Sequence, residues 1–346
     1  MNIHQVSTES LTKAAEILRN GGLVAFPTET VYGLGADAFN PNALTRVFEV
    51  KGRPRFDPLI IHIASLETLE SVAALSLLSE EKRKKLYQLA ENFWPGPLSI
   101  VLPKNDRIPG IATAGLSTAA IRFPSHDTAQ KLISLSTGAV AAPSANPFGS
   151  ISPTRAEHVR IGLGQKIDMI LDGGSTLIGL ESTVIDITGE QIKLLRPGGT
   201  PKEVIESLIG TVLCPQTDTQ NELCPQKEEQ LCPQTSPGQL KSHYAPKTPL
   251  FALSREEIIG QTYENGSAYL FFDGNTRDSW LKTQNPPDSA VIKVLSGSGH
   301  ATEAASHLFE TLHELDNSSI LRIFAQFAPP HGLGIAINDR LKRASV

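Results

Sequence analysis

Four cationic side chains lie in or beside loops that contain proline or glycine, close to the end of a predicted strand or helix. They are Lys51, Arg53, Arg122 and Arg196. A guanidinium group holds a carboxylate or a phosphate through two parallel hydrogen bonds, so proteins favour arginine for such anions. Each of the four, taken singly, is better explained as a solvated surface charge, but their shared setting indicates an anionic substrate.

Short hydroxyl side chains occupy the same loops and could orient a polar ligand without adding charge. They are Thr28, Thr30, Thr118, Ser144, Ser152, Ser182 and Thr183. His62 ends an apolar run, and we expect it at the same end of the sheet as Thr30, with a hydrogen-bonded core histidine as the alternative. No Ser–His–Asp or Cys–His arrangement stands out, which favours catalysis by positioning and charge stabilisation over a covalent intermediate.

A polar stretch with several glycines, residues 27–35, separates two short apolar runs at residues 23–26 and 59–63. Short runs rich in β-branched and aromatic residues, bounded by turn residues, predict buried strands. Ligands of open α/β sheets bind at the carboxyl ends of such strands. We therefore expect the polar stretch to belong to a binding site, although an ordinary polar turn explains this stretch equally well when it is taken alone.

The periodicity of the first 209 residues predicts helices alternating with strands. The predicted helices span residues 10–20, 43–50, 67–78, 80–93, 127–135 and 201–208. The predicted strands span residues 23–26, 59–63, 98–102, 118–124, 139–142, 167–171, 182–187 and 192–196. The last two strands are expected to form a hairpin.

Between residues 211 and 234 the sequence Leu-Cys-Pro-Gln occurs three times and carries all three cysteines of the chain. A segment this polar and rich in proline cannot bury enough surface to offset its chain entropy, so we predict a flexible linker. A metal site with His243 as the fourth ligand is the alternative. The cysteine spacings of ten and eight residues fit no tight ligand pair.

A second α/β pattern follows the linker. Its predicted strands span residues 250–253, 268–272, 290–295 and 320–325, and its predicted helices span 256–261, 301–315 and 333–344. This alternation predicts a small parallel sheet with helices on its faces, a Rossmann-like arrangement. The expected organisation is a first α/β domain at residues 1–209, a linker and arm at 210–246, and a second α/β domain at 247–346.

Composition excludes several classes of protein. The net charge of −5 over 346 residues argues against a broad surface for coating nucleic acid, but not against a local basic cleft. The chain has no apolar run long enough to span a membrane and does not begin with a signal-peptide pattern. With three cysteines and no export signal, a disulfide framework is not expected, and the cytoplasm is the expected location.

Two further classes of protein remain possible when the residues alone are considered. Residues 33–38 loosely fit the Gly-x-Gly-x-x-Ala fingerprint of dinucleotide oxidoreductases, but the required tight turn after the strand is missing. A basic concave sheet could instead hold double-stranded RNA without catalysing a reaction.

Nine segments in this order together resemble the YrdC-like domain. They lie at residues 27–35, 51–54, 58–62, 94–97, 143–146, 152–154, 172–174, 181–183 and 195–198. Residues 236–246 and the α/β pattern after them resemble the long, two-domain family of L-threonylcarbamoyladenylate synthases. The resemblance covers nearly the whole chain apart from the Leu-Cys-Pro-Gln repeats.

This resemblance implies a twisted open α/β sheet with a concave basic cleft. It also implies a nucleotidyltransferase that condenses L-threonine, bicarbonate and ATP into threonylcarbamoyl-AMP and pyrophosphate. Downstream tRNA threonylcarbamoyl transferase proteins would then pass the product to tRNA, which makes tRNA an indirect partner. A relative that makes a carbamoyl adenylate for another acceptor is the alternative.

The resemblance also implies roles for residues at matching positions. The expected threonine contacts are Thr30, His62, Arg122, the backbone at Ala142, and Ser182. The expected ATP contacts are Arg53, Asp57, Thr118, Ser144, Ser152, Arg196 and Tyr244. Lys51 and Arg53 are the expected catalytic residues, no metal-ligating residue is expected, and Mg²⁺ would arrive on the triphosphate. Residues 236–246 would fold over the cleft as a lid.

Two residues depart from the family pattern. Asp57 stands where the family often has asparagine, and its carboxylate would repel ATP unless it binds Mg²⁺ or is itself paired. Gln239 replaces an apolar residue that is common in the arm, which leaves the packing of the arm open.

Overall fold

The computed structural model describes residues 3–214, 244–316 and 319–346. Within these residues the first domain is built on one ten-stranded mixed sheet. Its strands are β1 (Ile3–Gln5), β2 (Val24–Pro27), β3 (Tyr32–Asp37), β4 (Ile60–Ile63), β5 (Leu98–Pro103), β6 (Thr118–Arg122), β7 (Ala139–Ala141), β8 (Met169–Asp172), β9 (Thr183–Asp186) and β10 (Lys193–Arg196). Their spatial order is β1-β8-β2-β3-β7-β4-β6-β5-β9-β10.

Helices cover the sheet of the first domain. They are α1 (Thr8–Arg19), α2 (Pro41–Lys51), α3 (Leu69–Val72), α4 (Glu80–Phe93), α5 (Asp127–Leu135), α6 (Ala156–Leu163) and α7 (Lys202–Ile209). The single helix predicted at residues 67–78 is wrong, because the chain leaves the helical conformation at Ala73 and Ala74. There Ala73 bridges Lys104 and the Ala74 amide donates to the Pro103 carbonyl, so the strand edge outcompetes the helix.

The strand β3 was not predicted, because its sequence Tyr-Gly-Leu-Gly-Ala-Asp looks like a turn. It pairs antiparallel with β2 and with β7, so residues 33–38 are not the strand-to-helix turn of a dinucleotide fingerprint. A Cβ at Gly35 would lie 2.8 Å from the Phe26 ring, which explains the glycine by close packing. The elements β1 and α6 also escaped prediction.

The second domain is a four-stranded parallel sheet, as predicted. Its strands are β11 (Leu250–Leu253), β12 (Ser267–Asp273), β13 (Val291–Ser296) and β14 (Arg322–Gln326), in the order β11-β14-β12-β13. Its helices are α8 (Arg255–Gly260), α9 (Gly274–Gln284), α10 (Ala301–Asp316) and α11 (Leu333–Ala344). The helix α9 was missed, since its polar sequence has little apolar periodicity.

The two domains share a hydrophobic core. Val31, Ile151 and Leu180 of the first domain pack in one buried cluster with Tyr244 and with apolar residues of the second domain, Phe309 among them. Residues 215–243, which hold two of the three Leu-Cys-Pro-Gln repeats and most of the predicted lid, lie outside the described residues. None of the described helices is long and apolar enough to cross a membrane.

Residues just after α7 still belong to the packing of the first domain. Val212 is fully buried, and Leu213 bridges Lys193 of β10. In the described part of the chain, the first domain therefore continues beyond residue 209, where we expected the linker to begin.

Candidate active site

Strand register places three polar side chains side by side on the sheet. His62 of β4 is the parallel partner of Arg122 of β6, and Ser99 of β5 is the antiparallel partner of the same Arg122. Directly opposed residues on neighbouring strands point to the same face of a sheet. All three are buried, so this row of polar groups lies inside the protein.

The loop between β2 and β3 adds Thr30 to this row. The Thr28 hydroxyl accepts from the amides of Thr30 and Val31, which fixes the turn. The Arg122 guanidinium then donates through Nη1 to the Thr30 hydroxyl at 2.9 Å. Its Nη2 lies 2.6 Å from a Glu29 carboxylate oxygen, an ion pair that is almost fully buried.

His62 is neutral in this environment. Burial lowers the pKa of His62 to about 3, and the nearby Arg122 charge acts in the same direction. The ring Nδ1 lies 3.2 Å from the Ile60 carbonyl oxygen. A neutral imidazole can orient a polar group but adds no charge to the site.

Arg53 and Asp57 form a buried ion pair, with 2.9 Å between Nη2 and Oδ2. The Arg53 guanidinium also donates to the carbonyl oxygens of Asp57 and Pro58. Burial raises the pKa of the Asp57 carboxyl, and the Arg53 and Lys51 charges oppose this rise. The predicted repulsion between Asp57 and a phosphate is therefore reduced by pairing with Arg53.

Arg196 is held by Ser182, the residue just before β9. Its Nε and Nη2 both donate to the Ser182 carbonyl oxygen, and Nη2 also donates to the Ser182 hydroxyl. That hydroxyl in turn lies 2.8 Å from the Ser99 hydroxyl. Within the described residues, no carboxylate lies at ion-pair distance from Arg196, so its charge is available to an anion.

These side chains line one pocket of about 470 Å³, counting its open mouth. Nine residues with predicted roles are among its lining: Thr30, Arg53, His62, Arg122, Ala142, Ser144, Ser182, Arg196 and Tyr244. Loops far apart in the sequence thus converge on a single site. The individual roles in threonine or ATP binding stay predictions.

Two family models match the chain. One, described as "Telomere recombination" and named for Sua5, YciO and YrdC, matches residues 16–198. The other, described as "Threonylcarbamoyl-AMP synthase, C-terminal domain", matches residues 190–346. The threonylcarbamoyl-AMP synthase of Pyrococcus abyssi is 41% identical over 96% of this chain and 93% of its own length. The chain belongs to the threonylcarbamoyl-AMP synthase family.

Other comparisons agree and confirm the resemblance drawn from the nine segments. The threonylcarbamoyl-AMP synthase of Bacillus subtilis is 38% identical over 97% of this chain and 92% of its own length. A crystal structure of P. abyssi Sua5 complexed with L-threonine superposes with a TM-score of 0.83 at 39% identity. That match covers 100% of this chain and 98% of the solved one, so the two-domain fold is that of the synthase family.

Four residues with predicted roles do not line the pocket of this family member: Lys51, Asp57, Thr118 and Ser152. Lys51 is the clearest case, since its ammonium group donates to the carbonyl oxygens of Ser144, at 2.6 Å, and of Asn146. Burial and the Arg53 charge lower the pKa of Lys51 well below its usual range. This geometry favours a role in holding the 143–146 loop over the catalytic role that we expected.

Thr118 and Ser152 sit in different settings. Thr118 begins β6, four residues from Arg122, which places the two Cα atoms about 13 Å apart along the strand. Ser152 is fully buried, and its hydroxyl donates to Glu181, which lines the pocket. A nucleotide contact by Ser152 would therefore act through Glu181 in this conformation.

Sequence reasoning missed three charged residues of the site, Glu29, Glu181 and Arg340. The first two lie inside segments that carry the family resemblance, and that position was the available signal. Arg340 is 1% exposed and lies on the buried face of α11, beside Ile337 and Leu341. A charge on an apolar helix face was the only signal for it in the sequence.

The carboxylates around the pocket are engaged by cations. Glu29 pairs with Arg122, Asp57 with Arg53, and Glu181 with Arg340. In the part of the chain that the structure describes, no group of three or more His, Cys, Asp or Glu side chains is placed to hold a metal ion. The carboxylates around this pocket therefore serve as partners of its cationic side chains.

Proposed function

We propose that this protein is an L-threonylcarbamoyladenylate synthase. It would convert L-threonine, bicarbonate and ATP into threonylcarbamoyl-AMP and pyrophosphate, which is a nucleotidyl transfer. The observation that carries the proposal is the convergence of Arg122, Thr30 and His62 with Arg53 and Arg196 on one pocket. Relatives similar over nearly the whole chain bear the name of this activity.

The row on β4 and β6 is suited to threonine. Arg122 offers a guanidinium for the carboxylate, and the Glu29 carboxylate, 2.6 Å from its Nη2, holds that guanidinium in place. Thr30 and the neutral His62 add uncharged polar groups at the same place. The solved P. abyssi protein is described as complexed with L-threonine, which supports this assignment by similarity.

Arg53 and Arg196 are suited to the phosphates of ATP. Both guanidinium groups are buried and anchored to backbone carbonyl oxygens, so they are held in place before the ligand binds. Mg²⁺ is proposed to enter with ATP, held by phosphate oxygens and water, and to neutralise phosphate charge. No protein side chain is assigned to the ion.

The proposed reaction has two steps. The threonine amine attacks carbon dioxide and loses a proton, giving a carbamate; if it attacks bicarbonate, a C–O bond breaks and water leaves. A carbamate oxygen then attacks the α-phosphorus in line, and the bond to pyrophosphate breaks. The arginines would stabilise the charge that develops on the phosphates, which is positioning and electrostatic catalysis without a covalent enzyme intermediate.

The test is incubation of the purified protein with ATP, Mg²⁺, bicarbonate and labelled threonine. A labelled adenylate and an equal amount of pyrophosphate are expected. The Arg196→Gln variant should lose product formation, whereas Arg83→Gln, an exposed site on α4, should keep it. Pyrophosphate release that needs carbamoyl phosphate and not threonine would favour the carbamoyl-adenylate alternative, and RNA binding with no ATP turnover would favour the RNA-binding alternative.

The product would then be consumed by separate tRNA threonylcarbamoyl transferase proteins. A mixed carbamate–phosphate anhydride is readily hydrolysed, so a protected pocket and prompt transfer are both needed. In this proposal tRNA is therefore a partner of the next enzyme and meets this protein only through its product.

A further inference from the structure

One residue of the second domain contacts two residues that line the pocket, Glu181 and Tyr244. Arg340, on α11, is fully buried, and its Nε donates to the Glu181 carboxylate at 2.8 Å. Its Nη1 donates to the Pro197 carbonyl oxygen at 2.8 Å. A guanidinium that donates to both segments fixes their relative position.

Glu181 is the carboxylate that pairs with Arg340. One of its oxygens accepts from Ser152 and the other from Arg340, while the residue itself lines the pocket with Arg196. Burial would raise the pKa of Glu181, but the charges of Arg340 and Arg196 hold it below its usual range. Glu181 is therefore a buried anion beside the site for an anionic substrate.

Arg340 also supports the aromatic wall of the pocket. Its guanidinium carbon lies 5.0 Å from the centroid of the Tyr244 ring, at cation–π distance. Tyr244 is fully buried, lines the pocket and is the first described residue after the linker. One side chain of the second domain thus contacts both a carboxylate and a ring of the nucleotide pocket.

The pairing of charges around the pocket explains why the contact between Arg340 and Glu181 matters. Arg53 and Arg122 each have a carboxylate partner, and among the described residues Arg196 has none. Without Arg340, Arg196 would be the remaining cation beside the Glu181 carboxylate, and Glu181 would compete with a phosphate for it. A like charge near a bound anion in a desolvated site weakens binding strongly.

We propose that Arg340 is a positioning residue for the nucleotide, supplied by the second domain. It neutralises and orients Glu181 and supports Tyr244, so that Arg196 stays available for the phosphates of ATP. This inference rests on the proposed function for the identity of the ligand. It assigns the second domain a part in building the pocket of the first.

The experiment compares Arg340→Met, Arg340→Lys, Glu181→Gln and the double variant Glu181→Gln/Arg340→Met in the full chain. Lys342→Met is the matched control, because it removes a positive charge from an exposed site on the same helix. Mg-ATP affinity is measured by calorimetry, KM and kcat by pyrophosphate release, and folding by thermal unfolding.

Arg340→Met is expected to weaken ATP binding at least about tenfold, because it leaves Glu181 charged and unpaired next to Arg196. Glu181→Gln in the same chain should restore the affinity to within about threefold of the wild type, since no buried carboxylate is then left without a partner. Arg340→Lys should keep most of the affinity, and the effect should fall on the KM for ATP more than on kcat. Lys342→Met should bind like the wild type.

If Arg340 only held the two segments together, the ATP affinities of the variants would differ from these expectations. The double variant would then bind ATP as weakly as Arg340→Met, which would overturn the inference, as would an Arg340→Met protein that is folded and binds ATP normally. If Arg340→Met does not fold, the ATP affinity of the double variant tests the inference: affinity near that of the wild type supports it, and weak binding overturns it. A wild type that binds ATP but forms no adenylate would overturn the proposed function, while the affinities still test Arg340.

Discussion

Buried ion pairs decide which charges of the pocket can reach a ligand. Arg53 and Arg122 are each compensated by a carboxylate within 3 Å, so neither presents a full unpaired charge. Breaking such a pair by removing one partner costs about 3–5 kcal/mol, because the other charge stays buried. The pairs therefore hold the two arginines in place, whereas Arg196 has no carboxylate partner among the described residues.

We expect Asp57→Asn to raise ATP affinity about three- to tenfold, because it removes a negative charge about one ion-pair distance from Arg53. Arg53 keeps its bonds to two backbone carbonyl oxygens, so the folded state should survive with a loss at the lower end of the range for a broken buried pair, about 3 kcal/mol. Calorimetry with Mg-ATP measures the affinity, and the exposed Asp106→Asn serves as the control. Weaker ATP binding in Asp57→Asn would instead assign the carboxylate a direct role with the nucleotide or its cation.

His62 should make stability fall in acid. Its folded pKa is about 3 and the ordinary value is 6.5, so the unfolded chain takes up a proton in this window and the folded chain does not. The free energy of unfolding should thus decrease as the pH drops from 6.5 toward 3, by up to about 1.4 kcal/mol per pH unit from this residue.

The variant His62→Gln has no titrating ring at this position and therefore lacks this contribution to the pH dependence of the free energy of unfolding. Urea unfolding measured between pH 7 and pH 4 should therefore give it a flatter dependence on pH than the wild type. The His331→Gln variant, at an exposed ring, is the control. Equal slopes for the wild type and His62→Gln would show that the ring of His62 is protonated in the folded protein.

At the scale of elements, the site depends on register. A shift of one residue between β4 and β6 would turn His62 or Arg122 to the opposite face of the sheet. The apolar neighbours Ile61 and Ile121 are fully buried on the other face, and that burial fixes the register. The same hydrophobic packing that stabilises the sheet therefore aligns the polar row.

The site also depends on the close approach of two backbone segments. Gly198, after β10, lies directly against the backbone of residues 181–183. A Cβ at Gly198 would lie 2.3 Å from the Glu181 carbonyl oxygen and 2.4 Å from the Ser182 carbonyl carbon. Since both neighbours are backbone atoms, the chain itself would have to move. The absence of a side chain at residue 198 thus lets the arginine loop pack directly on the residues that line the pocket.

We therefore predict that Gly198→Ala lowers the free energy of unfolding by about 1–3 kcal/mol and displaces Glu181 and Ser182. Gly189→Ala is the matched control, because its added Cβ would meet only the Gln191 carbonyl oxygen at 3.6 Å. Urea unfolding gives the stability, and ATP affinity gives the state of the pocket. Normal ATP affinity and stability in Gly198→Ala would contradict the tight approach.

At the scale of the whole molecule, the second domain packs against residues that line the pocket. Phe309 of α10 is fully buried, and its ring centroid lies 5.7 Å from that of Tyr244. The shared hydrophobic core and the Arg340 contacts act on the same tyrosine. The position of the Tyr244 ring over the pocket thus depends on packing between domains.

Phe309→Ala should lower the free energy of unfolding by about 3–5 kcal/mol through the cavity it creates, and should weaken ATP binding. Phe251→Ala in the same domain is the control, because Phe251 is 37% exposed and its ring lies near that of Phe324 instead. Thermal unfolding and ATP calorimetry on both variants test the coupling. If Phe309→Ala loses stability but keeps full ATP affinity, Tyr244 is positioned without help from α10.

Local patterns of apolar residues in the sequence were sufficient to predict most of the helices and strands. The helices at residues 127–135 and 333–344 were predicted with the bounds that the structure has, because their apolar spacing repeats within one segment. The parallel second sheet followed from strands that alternate with helices. The elements β3 and α9 were missed because glycine and polar side chains hide the period there.

The sequence by itself determined the alternation of elements, the family and the candidate residues Thr30, His62, Arg122 and Arg196, since these depend on residue types over short spans. Only the tertiary structure decided which carboxylate partners which cation, and that Arg340 reaches the pocket from a helix 159 positions away from Glu181. The physical reason is that ion pairing and burial depend on distance through space, which sheet order and domain packing set and local periodicity does not encode.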